Sequence, residues 1–392
     1  MKILYHHRTA SKDGQDVHIE EMVAAMRRQG HEVMVVAPGM PAAARFGHDG
    51  GLVARIKRVL PAALYELLEL GYSIYAYGKL KRACDTFGPD VLYERYSLFF
   101  LAGLWLKRRR GLPYLLEINS PLALERATHG GLKLKALANW AERAVWRGAD
   151  MVFPVTGVLA DFVRGAGVAE SRIMVVPNGI NRQRFPVATD SRDIRAELGL
   201  TDKVVLGFVG FIRQWHRLPQ VLDAMAAMEN RDQLHFLIVG DGPGSAEVEA
   251  HARQIGMADQ VSRVGLVERD RVAAYVSAFD IALNPKVESY ASPLKLFEYM
   301  GLGRAIIAPD QANIREVLVD GENALLFDPD DPAHFRSRIM RLCGDAPLRR
   351  RLGEAASRSI EDKGYTWDNN AHRVLATVGA LAQRPPPSNR SR

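Results

Sequence analysis

The sequence has little that would support chemistry based on cysteine or on a bound metal. Its 392 residues include only two cysteines, Cys84 and Cys343, too few for a disulfide framework and without the spacing of zinc ligands. The histidine, aspartate and glutamate residues also show no metal-ligand spacing. We therefore expect two reduced thiols and no metal site.

Long apolar runs are also absent. The most apolar run, 98–106, is too short to span a bilayer, and the apolar segment 64–77 contains Glu66 and Glu69. The chain begins with a strand-like stretch, Lys2-Ile3-Leu4-Tyr5, rather than with the apolar region of a signal peptide. We expect a cytoplasmic protein, at most peripheral on the inner face of the cell membrane.

Acidic residues do not balance the basic ones. The chain has 52 Lys and Arg against 45 Asp and Glu, a net charge of +7, which favours anionic partners. The basic runs 55–58 and 107–110 adjoin apolar residues, as at a lipid headgroup surface, although the ends of solvated helices would look the same. An anionic membrane surface is therefore a candidate partner. Nucleic acid would explain the charge but none of the motifs below, so we expect no nucleic-acid partner.

Apolar strands alternate with helix-length segments along the whole chain. The strand-like segments are 3–5, 33–37, 90–93, 114–117, 151–155, 204–209, 235–239, 261–264, 281–283, 305–308 and 324–327. Strands that are apolar on both faces and separated by helices predict parallel sheets covered on both sides. One of the predicted helices is a single long one at about 332–351.

A charged, weakly periodic connector divides this pattern into two series. We therefore predict an α/β chain of two doubly wound, Rossmann-like domains, facing across a cleft at the carboxyl ends of their strands. The expected bounds are 1–185 for the N-terminal domain, 186–366 for the C-terminal domain, 367–383 for a last helix and 384–392 for a disordered tail.

The most informative segment is Ser292-Pro293-Leu294-Lys295 with Glu298 one turn later. It reads as a tight polar turn after a buried strand, followed by a helix start that carries one carboxylate. Backbone N–H groups and the helix dipole at such a start attract a phosphate. The carboxylate can accept hydrogen bonds from the two vicinal hydroxyls of a ribose. This segment therefore predicts a socket for a sugar nucleotide.

Two glycine-containing loops follow strands in the same half. After Gly207 to Gly210 come Arg213, which can offer forked donors to a diphosphate, and His216, a further donor. A strand end with a surface arginine and a packed histidine is the alternative. The second loop begins at Gly240 and resembles a dinucleotide fingerprint only in part, so a tight βα turn explains it equally well.

Three further loops offer candidate ligands. Leu266 and Val267 follow a strand in the second half, where their backbone could pair with a nucleobase edge. In the first half, Gly14 opens a helix and could approach a phosphate, and Asn119 can both donate to and accept from a hydroxyl. Glu94 and its neighbour Arg95 are compatible with a structural ion pair.

Taken in order, these pieces resemble a retaining glycosyltransferase of family 4 with the GT-B fold. The resemblance runs from Lys2 to about Trp367 and is densest over 204–329; its motifs are Gly207-Phe208-Val209-Gly210, Val239-Gly240-Asp241-Gly242-Pro243, Asp280-Ile281-Ala282-Leu283-Asn284-Pro285, Ser292-Pro293-Leu294-Lys295-Leu296-Phe297-Glu298 and Arg315-Glu316-Val317.

The resemblance implies transfer of a sugar from a nucleotide diphosphate sugar with retention of anomeric configuration, without a metal or another cofactor. It implies that the C-terminal domain binds the donor: Glu298 the ribose, the backbone of Ser292, Pro293 and Leu294 the diphosphate, and the loop at Leu266 and Val267 the base. The acceptor is expected to be a glycan or lipid-linked molecule in cell-envelope or exopolysaccharide synthesis.

Three positions depart from the family pattern. Many members carry a second glutamate where Tyr290 stands here, and Glu288 is the nearest acid. Phe211 and His216 stand where the family commonly has Arg and Lys, so Arg213 and Lys295 are expected to supply the positive charge. Asn119 falls where many members carry a histidine near the reacting sugar. Arg213, Lys295, His216, Asn119 and Glu288 are thus the candidate catalytic residues.

Two other functions are compatible with the same motifs. A sugar-nucleotide 2-epimerase would need acids and bases around the sugar ring, for which the sequence shows no clear set. A non-catalytic sugar-nucleotide binding protein would accommodate the displaced Glu288 and the changed Arg and Lys positions.

Overall fold

The computed structural model describes residues 1–9, 14–38 and 60–382, which form two compact units. The first unit is Met1–Pro177 together with the chain from Asp368 onward, and the second is Asn178–Trp367. The basic run 55–58 and the tail 384–392 singled out in the sequence lie outside the described residues.

The first unit is built on a five-stranded parallel sheet in the order β2-β1-β3-β4-β5. Its strands are β1 (Lys2–His6), β2 (Glu32–Val36), β3 (Val91–Arg95), β4 (Tyr114–Ile118) and β5 (Met151–Pro154). Its helices include α1 (Gly14–Arg28), α2 (Ala62–Phe87), α3 (Ala102–Arg110), α4 (Leu122–Glu125), the π-helical turn Arg126–Gly130, α5 (Lys135–Gly148) and α6 (Gly157–Gly165). Every residue of the two neighbouring strands β3 and β4 is buried, as a sheet covered on both faces requires.

The second unit is built on a six-stranded parallel sheet in the order β11-β10-β9-β6-β7-β8. Its strands are β6 (Val204–Val209), β7 (Leu234–Val239), β8 (Val261–Gly265), β9 (Ile281–Leu283), β10 (Ala305–Pro309) and β11 (Leu325–Phe327). Its helices are α7 (Arg192–Glu197), α8 (Pro219–Ala226), α9 (Ser245–Gln254), α10 (Val272–Ser277), α11 (Leu294–Gly301), α12 (Ala312–Arg315), α13 (Pro332–Gly344) and α14 (Ala346–Asp362), with 3-10 turns that include Gln214–His216.

Successive residues of these strands enter two separate apolar cores. Val205 belongs to one core cluster and Leu206, the next residue, to the other. Ala282 and Ile281 on β9 divide in the same way. Because side chains alternate between the two faces of a strand, each face of the sheet has its own layer of helices. The α/β architecture of two Rossmann-like units expected from the sequence is thereby confirmed.

The last helix, α15 (Trp367–Ala382), packs mainly with the first unit. Its Asn370 donates from Nδ2 to the carbonyl oxygen of Pro177 over 2.7 Å, and Asp368 forms a 2.9 Å ion pair with Arg28. The division between units falls at Pro177/Asn178 rather than at 185/186. The reason is that the backbone after Pro177 bonds within the second unit, where Ile180 N–H donates to the Tyr365 carbonyl over 3.0 Å.

The prediction of a single helix at 332–351 is wrong, because the chain forms two helices, α13 and α14, in this region. Asp345 separates the two helices with φ −124° and ψ 85°, a non-helical conformation. Its carboxylate accepts the N–H of Leu348 at 2.8 Å and so caps the start of α14.

Candidate functional site

The two glycine loops of the second unit pack directly against each other. Gly210 follows β6 with φ 132°, and Gly240 follows β7 with φ 135°. A Cβ atom on Gly240 would lie 2.1 Å from the carbonyl oxygen of Gly210. The glycine at 240 is therefore required for the close approach of the two loops. This agrees with the tight βα turn that was one of the two interpretations of the sequence.

Lys295, in the first turn of α11, directs its ammonium group toward the loop at Gly210. Its Nζ lies 3.8 Å from the ring centroid of Phe208, and a Cβ on Gly210 would be 3.4 Å from that Nζ. Burial lowers the pKa of Lys295 to about 7, although the charge of Glu298 opposes this shift. Burial likewise raises the pKa of Glu298 to about 7, against the charges of Lys295 and Arg269. A bound anion would restore the full charge of Lys295.

Arg213 adds a second cation to this edge, and His216 holds the backbone of Arg213. The guanidinium of Arg213 is exposed and lies 5.0 Å from the ring centroid of Phe211. The Arg213 backbone N–H donates to Nδ1 of His216 over 3.0 Å. Burial, followed by the charges of Lys295 and Arg213, lowers the pKa of His216 to about 2. His216 is therefore neutral, with an acceptor at Nδ1 and its proton on Nε2.

A turn at the start of the second unit holds the predicted phosphate-binding segment. Asn178 donates its backbone N–H to the Ser292 Oγ atom over 3.2 Å and its side-chain Nδ2 to the Ser292 carbonyl oxygen. Helix α11 begins after Pro293 without a side-chain cap. Such an uncapped start leaves first-turn N–H groups that an anion can satisfy.

Tyr299 connects the strands beneath this segment. Its hydroxyl accepts the N–H of Val209 at 3.0 Å and donates to the carbonyl oxygen of Leu283 at 3.3 Å. Because Tyr299 is on the same helix as Lys295, these two bonds fix the distance of α11 from the ends of β6 and β9.

The remaining predicted residues of the second unit lie in other loops. Leu266 is exposed, whereas Val267 is half-buried against the core. The backbone carbonyl of Glu288 accepts from Nδ2 of Asn313 at 3.0 Å, which holds that loop against α12. Roles in base binding for Leu266 and Val267, and in catalysis for Glu288, stay predictions.

In the first unit, Asn119 is held by a carboxylate that the sequence analysis missed. Asn119 donates from Nδ2 to Oε1 of Glu117 over 2.6 Å. Gly14, the other candidate of this unit, is the exposed first residue of α1, and its contact with a phosphate stays a prediction.

Glu117 accepts from four side chains although it is almost completely buried. Arg95 and Asn119 donate to Oε1. Tyr93 donates to Oε2 over 2.7 Å, and Nε2 of His18 lies 2.9 Å from the same atom. Burial would raise the pKa of Glu117, but His18, Arg95 and the hydrogen bonds hold it well below its ordinary value. Glu117 is therefore ionised and fixed in orientation.

The ion pair expected between Glu94 and Arg95 does not form. Arg95 pairs with Glu117 instead, because adjacent strand residues point to opposite faces of the sheet. Glu94 lies 3.2 Å from Nδ1 of His6 and accepts from the Tyr114 hydroxyl at 2.6 Å.

Within residues 1–9, 14–38 and 60–382, no group of three or more His, Cys, Asp and Glu side chains could hold a metal ion. Within the same ranges, no helix has the length and apolar character needed to cross a membrane.

Comparison with known proteins defines the class. Residues 13–179 match the glycosyl transferase 4-like domain, and residues 203–345 match the glycosyl transferases group 1 family. The chain therefore belongs to the family 4 and group 1 glycosyltransferases of the GT-B fold, and the family and fold indicated by its motifs are confirmed.

Individual relatives are distant but cover most of the chain. A D-inositol 3-phosphate glycosyltransferase of Xylanimonas cellulosilytica is 28% identical, with 96% of this chain and 94% of the relative aligned. A GDP-mannose-dependent alpha-mannosyltransferase of Mycobacterium tuberculosis is 24% identical, with 93% and 92% aligned. The structure of a sucrose-phosphate synthase from Thermosynechococcus elongatus superposes with a TM-score of 0.78 at 18% identity, covering 97% of this chain and 99% of that one. The last likeness concerns the fold alone.

Proposed function

We propose that this glycosyltransferase moves a sugar from a nucleotide diphosphate sugar to a glycan or lipid-linked acceptor, with retention of configuration and without a metal. The observation that carries the proposal is the position of Lys295, with its Nζ beside Gly210 and one helical turn from Glu298. A cation, a glycine loop and a carboxylate at one sheet edge have the chemistry that a nucleoside diphosphate requires.

The chemical difficulty is departure of the nucleoside diphosphate from the anomeric carbon. Negative charge grows on the phosphate oxygens as the bond breaks, and fixed donors stabilise that charge more in the transition state than in the ground state. We assign this role to Arg213, Lys295 and the N–H groups at the start of α11. These protein cations take the place that a metal has in other phosphate chemistry, which supports metal independence.

His216 has a supporting role in this scheme. Its neutral ring accepts the Arg213 backbone N–H at Nδ1, so it fixes the loop that carries the Arg213 guanidinium. Its Nε2–H is the donor that it can offer to a ligand.

Attack on the same face as the leaving group would give retention. In this mechanism the departing phosphate oxygen takes the proton of the acceptor hydroxyl, so no protein nucleophile is needed. Asn119, held by Glu117, is the group of the N-terminal unit that we assign to the reacting sugar. The relative named for GDP-mannose supports a nucleotide-sugar donor.

The basic charge and the apolar neighbours of the run 107–110 support a peripheral place on the inner face of the cell membrane, in envelope or exopolysaccharide synthesis.

The direct test of the chemistry combines thermal shift against UDP-, GDP- and ADP-sugars with NMR of the product formed from the stabilising donor. An α-linked product from an α-linked donor, formed equally in EDTA, is expected. An inverted product, or activity that EDTA abolishes, would overturn the proposal.

A further inference from the structure

Helix α2 of the first unit places polar side chains inward and large apolar side chains outward. Glu66 is buried and accepts the backbone N–H groups of Lys133 and Leu134 at 2.9 and 2.7 Å. Ser73 is also buried and donates from Oγ to the Phe99 carbonyl over 3.0 Å. The opposite face carries five exposed residues: Leu64 at 45%, Leu67 at 48%, Leu68 at 52%, Ile74 at 70% and Tyr75 at 63%.

These five residues, which we call the apolar stripe, lie along one side of the helix. Their spacing of three, four, ten and eleven residues from Leu64 keeps them on one face, and glycines at 71 and 78 continue the line. At 1.5 Å per residue the stripe is about 16 Å long. A contiguous exposed apolar patch of this kind marks a surface that binds something.

The exposed charges of α2 and α3 are positive except for Asp85, which pairs with Arg110. Lys81 and Arg82 are exposed one to two turns beyond Tyr75, and Arg108 and Arg109 are exposed at the end of the adjacent helix α3. An ion pair between Arg110 and Asp85 shows that the carboxyl ends of these two helices are neighbours. From Ala62 to Arg82, none of the exposed positions of α2 is acidic. We call Lys81, Arg82, Arg108 and Arg109 the basic flank.

This charge distribution decides between two occupants of the stripe. A second copy of the chain could cover the apolar residues, but the one exposed acid of its α2 and α3, Asp85, already pairs with Arg110 and would leave the four cations without partners. An anionic bilayer meets both requirements, because apolar side chains enter the boundary of the acyl chains while Lys and Arg remain at the phosphates.

We propose that the apolar stripe and the basic flank of the first unit dock the protein on the headgroup region of an anionic lipid bilayer. The inference deepens the proposed peripheral location by naming the surface responsible. It does not involve the donor site, which lies in the second unit, so the two proposals can fail separately.

The test measures co-sedimentation of the full chain with vesicles of phosphatidylcholine alone or mixed with phosphatidylglycerol. The stripe variant is Leu67→Ser/Leu68→Ser/Ile74→Ser, and the flank variant is Lys81→Gln/Arg82→Gln. Matched controls alter comparably exposed residues of the second unit: Val187→Ser/Val319→Ser, at 56% and 46% exposure, and Arg341→Gln/Arg350→Gln.

The unaltered chain is expected to bind the anionic vesicles, and each test variant to lose about tenfold or more in partitioning, while the controls bind normally. Because the altered side chains are exposed, unfolding midpoints and donor turnover with a water-soluble acceptor should stay unchanged. Wild-type binding by the stripe variant, or equal binding to neutral vesicles, would overturn the proposal. Light scattering that shows a dimer disrupted by the stripe variant would overturn it in favour of a second copy.

Discussion

The side-chain amide of Asn119 is fixed by Glu117, whose Oε1 atom accepts from Nδ2 over 2.6 Å. Arg95, Tyr93 and His18 hold the same carboxylate. The amide that we assign to the reacting sugar is therefore oriented before any substrate arrives, with its Oδ1 atom directed away from Glu117. Orientation of this kind contributes to catalysis by limiting the loss of freedom in the transition state.

We predict that Glu117→Gln lowers kcat by about ten- to a hundredfold with little change in KM for the donor. The neutral amide can no longer accept from all four donors, so Asn119 is free to turn. Steady-state kinetics and circular dichroism would measure the effect. Glu94→Gln is the matched control, because Glu94 is equally buried and bonds to Tyr114 and His6 rather than to Asn119.

A double-mutant cycle separates positioning from general stability. If Glu117 acts through Asn119, Glu117→Gln should cost nothing further in kcat when Asn119→Ala is already present. Additive losses in the double variant, or equal losses in Glu94→Gln, would show that Glu117 serves only the fold.

The strands could be predicted from the sequence because their signal is local. A parallel strand buried on both faces is a short apolar run between polar segments, as 204–209 and 235–239 show, and each run became a strand. Helix α2 was not predicted from the sequence because its hydrophobic pattern is the reverse of the usual one. Leu67 and Ile74 face outward, whereas Glu66 faces inward.

The site could be predicted only where its residues are close in sequence. Lys295 and Glu298 are one helical turn apart, so their closeness could be predicted from the segment alone. Glu117 is joined to His18 and Tyr93 by the order of the strands in the sheet. The only local signal was an acid inside the apolar strand β4, Tyr114–Ile118.

The cationic pair of the second unit should be essential for turnover. We predict that Arg213→Ala and Lys295→Ala each lower kcat by about a hundredfold or more, because each removes charge stabilisation from the leaving diphosphate. Lys203→Ala is the control, since Lys203 precedes β6 and lies at the opposite end of the strand from Gly210. Near wild-type turnover by both test variants in a nucleoside-diphosphate release assay would reject the assignment.

Donor affinity should depend on pH through Lys295. Burial lowers its pKa to about 7, so the ammonium is present below pH 7 and is lost as the pH rises through that value. A bound diphosphate favours the charged form, so binding above pH 7 takes up a proton. The affinity for UDP or GDP should then weaken by up to about tenfold per pH unit.

Lys295→Arg tests the source of this dependence, because a guanidinium stays protonated across the range. Calorimetric titrations between pH 6 and 9 should give a flatter profile for this variant, while the nucleotide itself and Glu298, whose pKa is also raised to about 7, titrate in both proteins. Identical slopes in the two proteins would exclude Lys295 as the titrating group.

The packing of the two glycine loops predicts a strong effect of Gly240→Ala. The added Cβ would lie 2.1 Å from the Gly210 carbonyl oxygen, at a φ of 135° that alanine rarely adopts. Overpacking and backbone strain of this kind cost about 1–3 kcal/mol each. We expect a lower unfolding midpoint in urea, and weaker donor binding because Gly210, beside Lys295, must move.

Gly256→Ala is the control: its φ of 69° is also positive, but nothing lies within 4 Å of its added Cβ. That variant should lose only about 1–2 kcal/mol and keep its donor affinity. Equal donor affinity in both variants would mean that the Gly210 loop does not shape the donor site.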